Sequence, residues 1–79
     1  MTAEAFILIE AEVGRTKEIV NALRRAKGVK TVHAVTGPYD VIAVVEEPDL
    51  TSVGNLVTNQ IHTISGVKRT VTCFTIDVS

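Results

Sequence analysis

One cysteine, one tyrosine, two phenylalanines, two prolines and no tryptophan stand in a chain of 79 residues. The single cysteine, Cys73, excludes a disulfide within the chain. His33, His62 and Cys73 show no ligand spacing, so neither a metal nor any other cofactor is expected. Charge of one sign is also missing: 8 basic and 9 acidic residues leave a net −1. That offers no basic face to a phosphate backbone, and no direct nucleic-acid partner is expected. No apolar run approaches the ~20 residues that cross a bilayer, and no signal peptide is visible, so no membrane partner is expected either. A lone thiol without an export signal points to the cytoplasm.

What remains is one small apolar domain. Residues of the apolar class make up 46% of the chain, too many for disorder. A domain of this length buries only about 60–65% of its unfolded surface, so its core alone is marginal. Small chains compensate with disulfides, a metal or oligomerisation. The first two are excluded or unsupported, which leaves oligomerisation.

Ala5–Ile9 is an apolar run between Glu4 and Glu10, read as a strand covered on both faces. Gly14 breaks it. From Arg15 to Lys27, Ile19, Val20, Leu23 and Ala26 recur at helical spacing, with Arg24, Arg25 and Lys27 at the end that favours cations and Gly28 as cap. Val29–Thr36 reads as a second strand and Tyr39–Glu46 as a third. Asp49 is a candidate N-cap after Pro48. Leu50, Val53, Leu56, Val57, Ile61 and Ile64 outline one second helix, which carries Gly54 at some cost. Val67–Val78 reads as the fourth strand, with Thr70, Thr72, Phe74 and Ile76 on one side and Val71, Cys73, Thr75 and Asp77 on the other.

The second and third strands meet at Val35-Thr36-Gly37-Pro38-Tyr39-Asp40-Val41. Gly-Pro is strong turn punctuation, and two strand-like runs joined so briefly read as a hairpin. Its tip holds a tyrosine ring and a carboxylate that solubility does not require.

The two halves echo each other. Gly28-Val29-Lys30 closes the first helix and Gly66-Val67-Lys68 the second; Thr31-Val32 and Thr70-Val71 follow. The order is β-α-β twice. The expected fold class is therefore α+β: a ferredoxin-like βαββαβ sandwich, a four-stranded antiparallel sheet with two helices on one face. The other face then needs a cover. A half-exposed sheet alternates apolar and polar residues, but Phe6–Ile9 and Val41–Val45 do not. Ala5 and Ala43 are read onto this second face, with Ala43 as a contact residue. A second copy of the sheet, packed about a two-fold axis, is the expected cover.

These residues carry a resemblance. The β-α-β-β-α-β order, the Gly28-Val29 and Gly66-Val67 junctions, Thr36-Gly37-Pro38-Tyr39-Asp40 before an apolar third strand, and Arg69-Thr70-Val71-Thr72 together resemble the effector-binding (RAM) domain of the leucine- and asparagine-responsive Lrp/AsnC regulators. The resemblance covers almost the whole chain, expected as one domain over 1–79. It implies an amino-acid pocket between subunits, lined by the hairpin. Thr36, Gly37, Tyr39 and Asp40 are the candidates there, with Thr70 and Thr72 as hydroxyl donors from the last strand. It also implies a non-enzymatic regulatory module, a homo-oligomer built from dimers, and full-length Lrp/AsnC-type regulators as candidate partners. Such regulators carry a helix-turn-helix domain ahead of this part. Here the sequence opens at the first strand, so a stand-alone member without a DNA reader is expected.

Rival readings fit less well. A copper chaperone needs paired cysteines after the first strand. An RNA-recognition domain stacks bases on sheet aromatics, and Phe6, Tyr39 and Phe74 are too few. An ACT-like amino-acid sensor places its glycine loop near Gly14. A small dimeric ferredoxin-like enzyme needs a pocket His or an ordered acid/base pair. Each candidate residue also has a plainer use. Asp40 can bond the turn backbone and Tyr39 can pack on Pro38; Thr70 and Thr72 can be ordinary strand residues. Cys73 is read as a small buried hydrophobe. His33 is read as a strand residue near the sheet edge and His62 as solvent-facing, neither with a role.

Overall fold

The first apolar run makes a strand longer than expected. In the computed structural model, which describes residues 2–78, β1 spans Ala3–Ala11. Met1 and Ser79, the ends of the expected 1–79 domain, lie outside the described residues. Helix α1 follows over Thr16–Arg24, then β2 over Val29–Ala34 and β3 over Val41–Glu47. Helix α2 spans Leu50–Leu56, a widened helical turn covers Val57–Ile61, and β4 spans Val67–Phe74. The strand order is β2-β3-β1-β4, with every neighbouring pair antiparallel. This is the ferredoxin-like arrangement expected.

Ala5, Ile7 and Ile9 of β1 and Val41, Ala43 and Val45 of β3 form the sheet side of the core. Ile19, Val20 and Leu23 of α1 cover them, with Val53 and Leu56 of α2 and Val57 and Ile61 of the widened turn. The helices end sooner than periodicity suggests. After Arg24 the chain tightens, as Arg25 N–H bonds Ala22 O and Ala26 N–H bonds Leu23 O. The echoed glycines are needed for their conformation and for space: Gly28 and Gly66 have φ of +94° and +96°. A Cβ on Gly66 would sit 2.5 Å from Arg15 Cβ. Asp49 caps α2 as expected, accepting the Ser52 N–H at 2.8 Å. That backbone bond holds its carboxyl below the usual 3.8.

Four further expectations need correction. The second helix does not run evenly to Ile64: His62 N–H reaches back five residues to Val57 O at 2.8 Å, opening a π-turn. The fourth strand stops at Phe74, opposite Ala5, and just beyond it Thr75 bonds Glu4 O through its N–H at 3.0 Å and its hydroxyl at 3.2 Å. Ala5 and Ala43 are not on the free face; both are fully buried under the helices. The free face instead carries the larger residues Phe6, Leu8, Ile42 and Val44, with Cys73 opposite Phe6 and Val71 opposite Leu8. Cys73 is accordingly exposed in the single chain, not buried.

That face is framed by charge. Lys30 Nζ lies 3.6 Å from Glu4 and 4.0 Å from Glu46 at one end. Lys68 and Arg69 lie 3.5 and 3.8 Å from Glu10 at the other. Between these pairs Phe6 keeps 40% of its surface open. An apolar centre inside a charged frame is the usual anatomy of an association surface.

Candidate functional site

The hairpin is held to the sheet by its backbone. Val35 N–H donates to Asp40 O at 2.9 Å, closing the loop, and Asp40 N–H donates to Ile9 O at 2.9 Å. Gly37 has φ +115°, a conformation that side-chain-bearing residues avoid. The link occupies residues 35–40, so Tyr39 belongs to the loop and not to β3, against expectation.

The half-buried Asp40 turns its carboxylate to the end of β1. Ala11 N–H donates to Oδ2 at 2.8 Å. The β1–β3 ladder ends at the pair Ile9 and Val41, so the Ala11 N–H, which points to the same side as Ile9, lies beyond the start of β3. The carboxylate satisfies that donor, so the plainer, structural use of Asp40 is real. That bond uses Oδ2 alone of the two carboxylate oxygens.

Tyr39 reaches across the sheet end. Arg69 Nη2 approaches its hydroxyl at 3.5 Å, a long contact, while Arg69 Nε faces Glu10. Thr36 and Gly37 are exposed at the tip. The structure therefore gathers Tyr39, Asp40, Glu10, Ala11 and Arg69 at one end of the molecule.

Thr70 and Thr72 stand apart from that group. They pair with Ile9 and Ile7 and share the helix side of the sheet, as their alternation suggests. Thr70 lies two strands from Val41, about 10 Å. A cleft of about 420 Å3 takes in Thr70 with His62, Val67, Lys68 and Arg69, but no hairpin residue. Within one chain the six candidates do not form one pocket.

Two residues escaped the sequence reading. Arg69 was noted only as part of a similar run, yet it joins Tyr39 to Glu10. His62, assigned no role, sets Nε2 2.9 Å from Thr70 Oγ1. The π-turn that brings it there has no sequence signature. The backbone donor of Ala11 was likewise invisible, since any residue supplies one.

The Lrp/AsnC ligand binding domain matches residues 4–78. An uncharacterised helix-turn-helix-type transcriptional regulator of Pyrococcus furiosus is 35% identical over 71 residues, 86% of this chain and 47% of that protein. The chain thus spans about half the length of that relative. A solved protein of Thermus thermophilus superposes with a TM-score of 0.91 at 32% identity, over 98% of this chain and 96% of that one. A transcriptional regulator of Neisseria meningitidis, solved as a complex with L-Met, superposes with a TM-score of 0.87 over 95% of this chain and 50% of that one. Its identity is 18%, so it speaks for the fold alone. With a family match over nearly its whole length, this chain belongs to the Lrp/AsnC ligand-binding domain family.

Proposed function

We propose that the chain is a non-enzymatic regulatory module that binds a free amino acid where the hairpin of one subunit meets a neighbouring subunit. The observation that carries this is the anchored, half-finished site at the sheet end. Asp40 is fixed by Ala11 N–H and has one oxygen free, and the loop backbone at Gly37 is exposed beside it. A carboxylate oxygen receives an ammonium, and loop N–H groups receive a carboxylate, which are the two charged ends of an amino acid. Membership in a ligand-binding family supports the reading. So does the L-Met bound by the Neisseria regulator.

Assembly through the free sheet face belongs to the same proposal. Phe6, Leu8, Ile42 and Val44 would pack against their copies, dimers would combine further, and the hairpins would meet other subunits. The described residues form no helix-turn-helix, so DNA reading is proposed to lie with full-length regulators of the family that share this interface. A sequence-dependent DNA shift by this chain alone, persisting at high salt, contradicts that part.

A thermal-shift screen against the twenty amino acids tests the binding. A ligand at about 100 times its Kd stabilises the folded state by about 2.7 kcal/mol, or roughly 10–20 °C in a domain of this size. A flat screen at millimolar concentrations removes the amino acid from the proposal.

A further inference from the structure

Arg69 holds a charge that its neighbours match only in part. Its Nε lies 3.8 Å from Glu10 and its Nη2 lies 3.5 Å from the Tyr39 hydroxyl, both long contacts. Lys68 faces the same Glu10 at 3.5 Å, so one carboxylate is shared between two cations. The Tyr39 hydroxyl is neutral and offsets no charge. A guanidinium carries five N–H donors in a planar fork, and these two contacts engage only part of it. The side chain is 64% exposed.

The opposite charge stands across the end of β1. Asp40 reaches the Ala11 N–H from the β3 side, through Oδ2. That N–H points along the sheet, so the carboxylate sits at the sheet's rim. Arg69 comes from the β4 side, where it pairs with Glu10 on the free face. No ion pair joins Arg69 to Asp40 among the described residues. Tyr39 links the two places, with its backbone next to Asp40 and its hydroxyl at Arg69. Two unlike charges are thus held apart around one strand end, along one tyrosine side chain.

We propose that Arg69 is the residue of the hairpin site that receives the carboxylate of the amino acid, while Asp40 receives its ammonium. The inference rests on the amino-acid reading above and adds a second charged contact to it. The Arg69 fork matches a carboxylate with two parallel bonds, to which the loop N–H groups at Gly37 add theirs. Lys68 keeps Glu10 paired when Arg69 turns to the ligand. The ligand class narrows accordingly: both charges of a free amino acid are required, and its amide is rejected. A neighbouring subunit still closes the pocket.

Calorimetric titration tests this with three probes. They are the amino acid that most raises the melting temperature in the twenty-member screen, its primary amide and its N-acetyl derivative. The amide keeps the ammonium and loses the carboxylate; the N-acetyl form does the reverse. The unmodified chain should bind the acid at least about tenfold more tightly than the amide, the lower end for a charge-assisted bond. Arg69→Gln should lose most of that preference and still reject the N-acetyl form. Asp40→Asn should do the opposite, keeping the preference for acid over amide and losing the rejection. A merely structural Arg69 would weaken all three probes together. That result, or an acid-over-amide preference unchanged in Arg69→Gln, overturns the proposal. Should Arg69→Gln alter the fold or the subunit count, Arg69→Lys decides, because it keeps the charge and loses the fork. Its preference for the acid should fall severalfold, and an unchanged preference overturns the proposal. Binding lost in Asp40→Asn but untouched in both Arg69 variants leaves the hairpin reading standing and removes Arg69 alone. A flat screen removes both.

Discussion

Asp40 accepts the Ala11 N–H on one oxygen at 2.8 Å, and the other is the oxygen proposed to receive a ligand. Two substitutions separate the uses. Asparagine retains a carbonyl oxygen for Ala11 and loses the charge. Asp40→Asn should therefore melt within a few degrees of the unmodified chain and bind its amino acid about 10- to 150-fold more weakly, the equivalent of a charge-assisted bond of about 1.5–3 kcal/mol. Alanine loses both. Asp40→Ala should lower stability by about 1.5 kcal/mol, or about 6–12 °C in Tm. Calorimetric titration and unliganded melts on both variants check this; equal affinities for Asn and Asp at position 40 remove the carboxylate from the site. Asp49 makes a pH prediction. Its folded pKa is depressed below 3.8 by the Ser52 N–H. A depressed carboxyl stabilises above its unfolded pKa and loses that contribution as pH falls through the folded value. Asp49→Asn keeps a cap without titrating, so its Tm should change less than that of the unmodified chain between about pH 4 and pH 2. Identical acid profiles contradict the assignment. At this scale the sequence exposed candidates but not their partners. Asp49 and its cap were legible because both partners are local. Asp40 with Ala11 and His62 with Thr70 were not, because the fold, not the spacing, brings them together.

The non-alternating strands β1 and β3 make the element-scale prediction. Val44 stands on the free face and Ala43 beneath the helices. If the free face joins subunits, Val44→Asp places an unpaired charge in the interface and leaves the fold intact. Light scattering should show a monomer with native circular dichroism. Ala43→Asp buries the charge in the core and should unfold the chain instead. A Val44→Asp chain with unchanged mass rejects this face as the contact. The order β-α-β-β-α-β was legible throughout, since each element has its own periodic or turn signal. The phase of β1 and β3 was not. A run apolar on both sides reads equally well in either register, so Ala5 and Ala43 were placed on the wrong face. Pairing with β4 and contact with the helices set the phase, and neither is local.

For the whole molecule, the proposed function depends on assembly. The core fills one side of the sheet, and the other side leaves Phe6, Leu8, Ile42 and Val44 inside a charged frame. The hairpin set and Thr72 remain apart in a single chain, so the proposed amino-acid pocket would need a neighbour to complete it. Native mass spectrometry of the unmodified chain, mixed in turn with each of the twenty amino acids, measures this directly. The predicted result is an amino-acid adduct on dimers and larger species, up to one per subunit, and none on residual monomer. Adducts on monomer at the same occupancy, or no adduct with any of the twenty, would contradict an amino-acid site built between subunits.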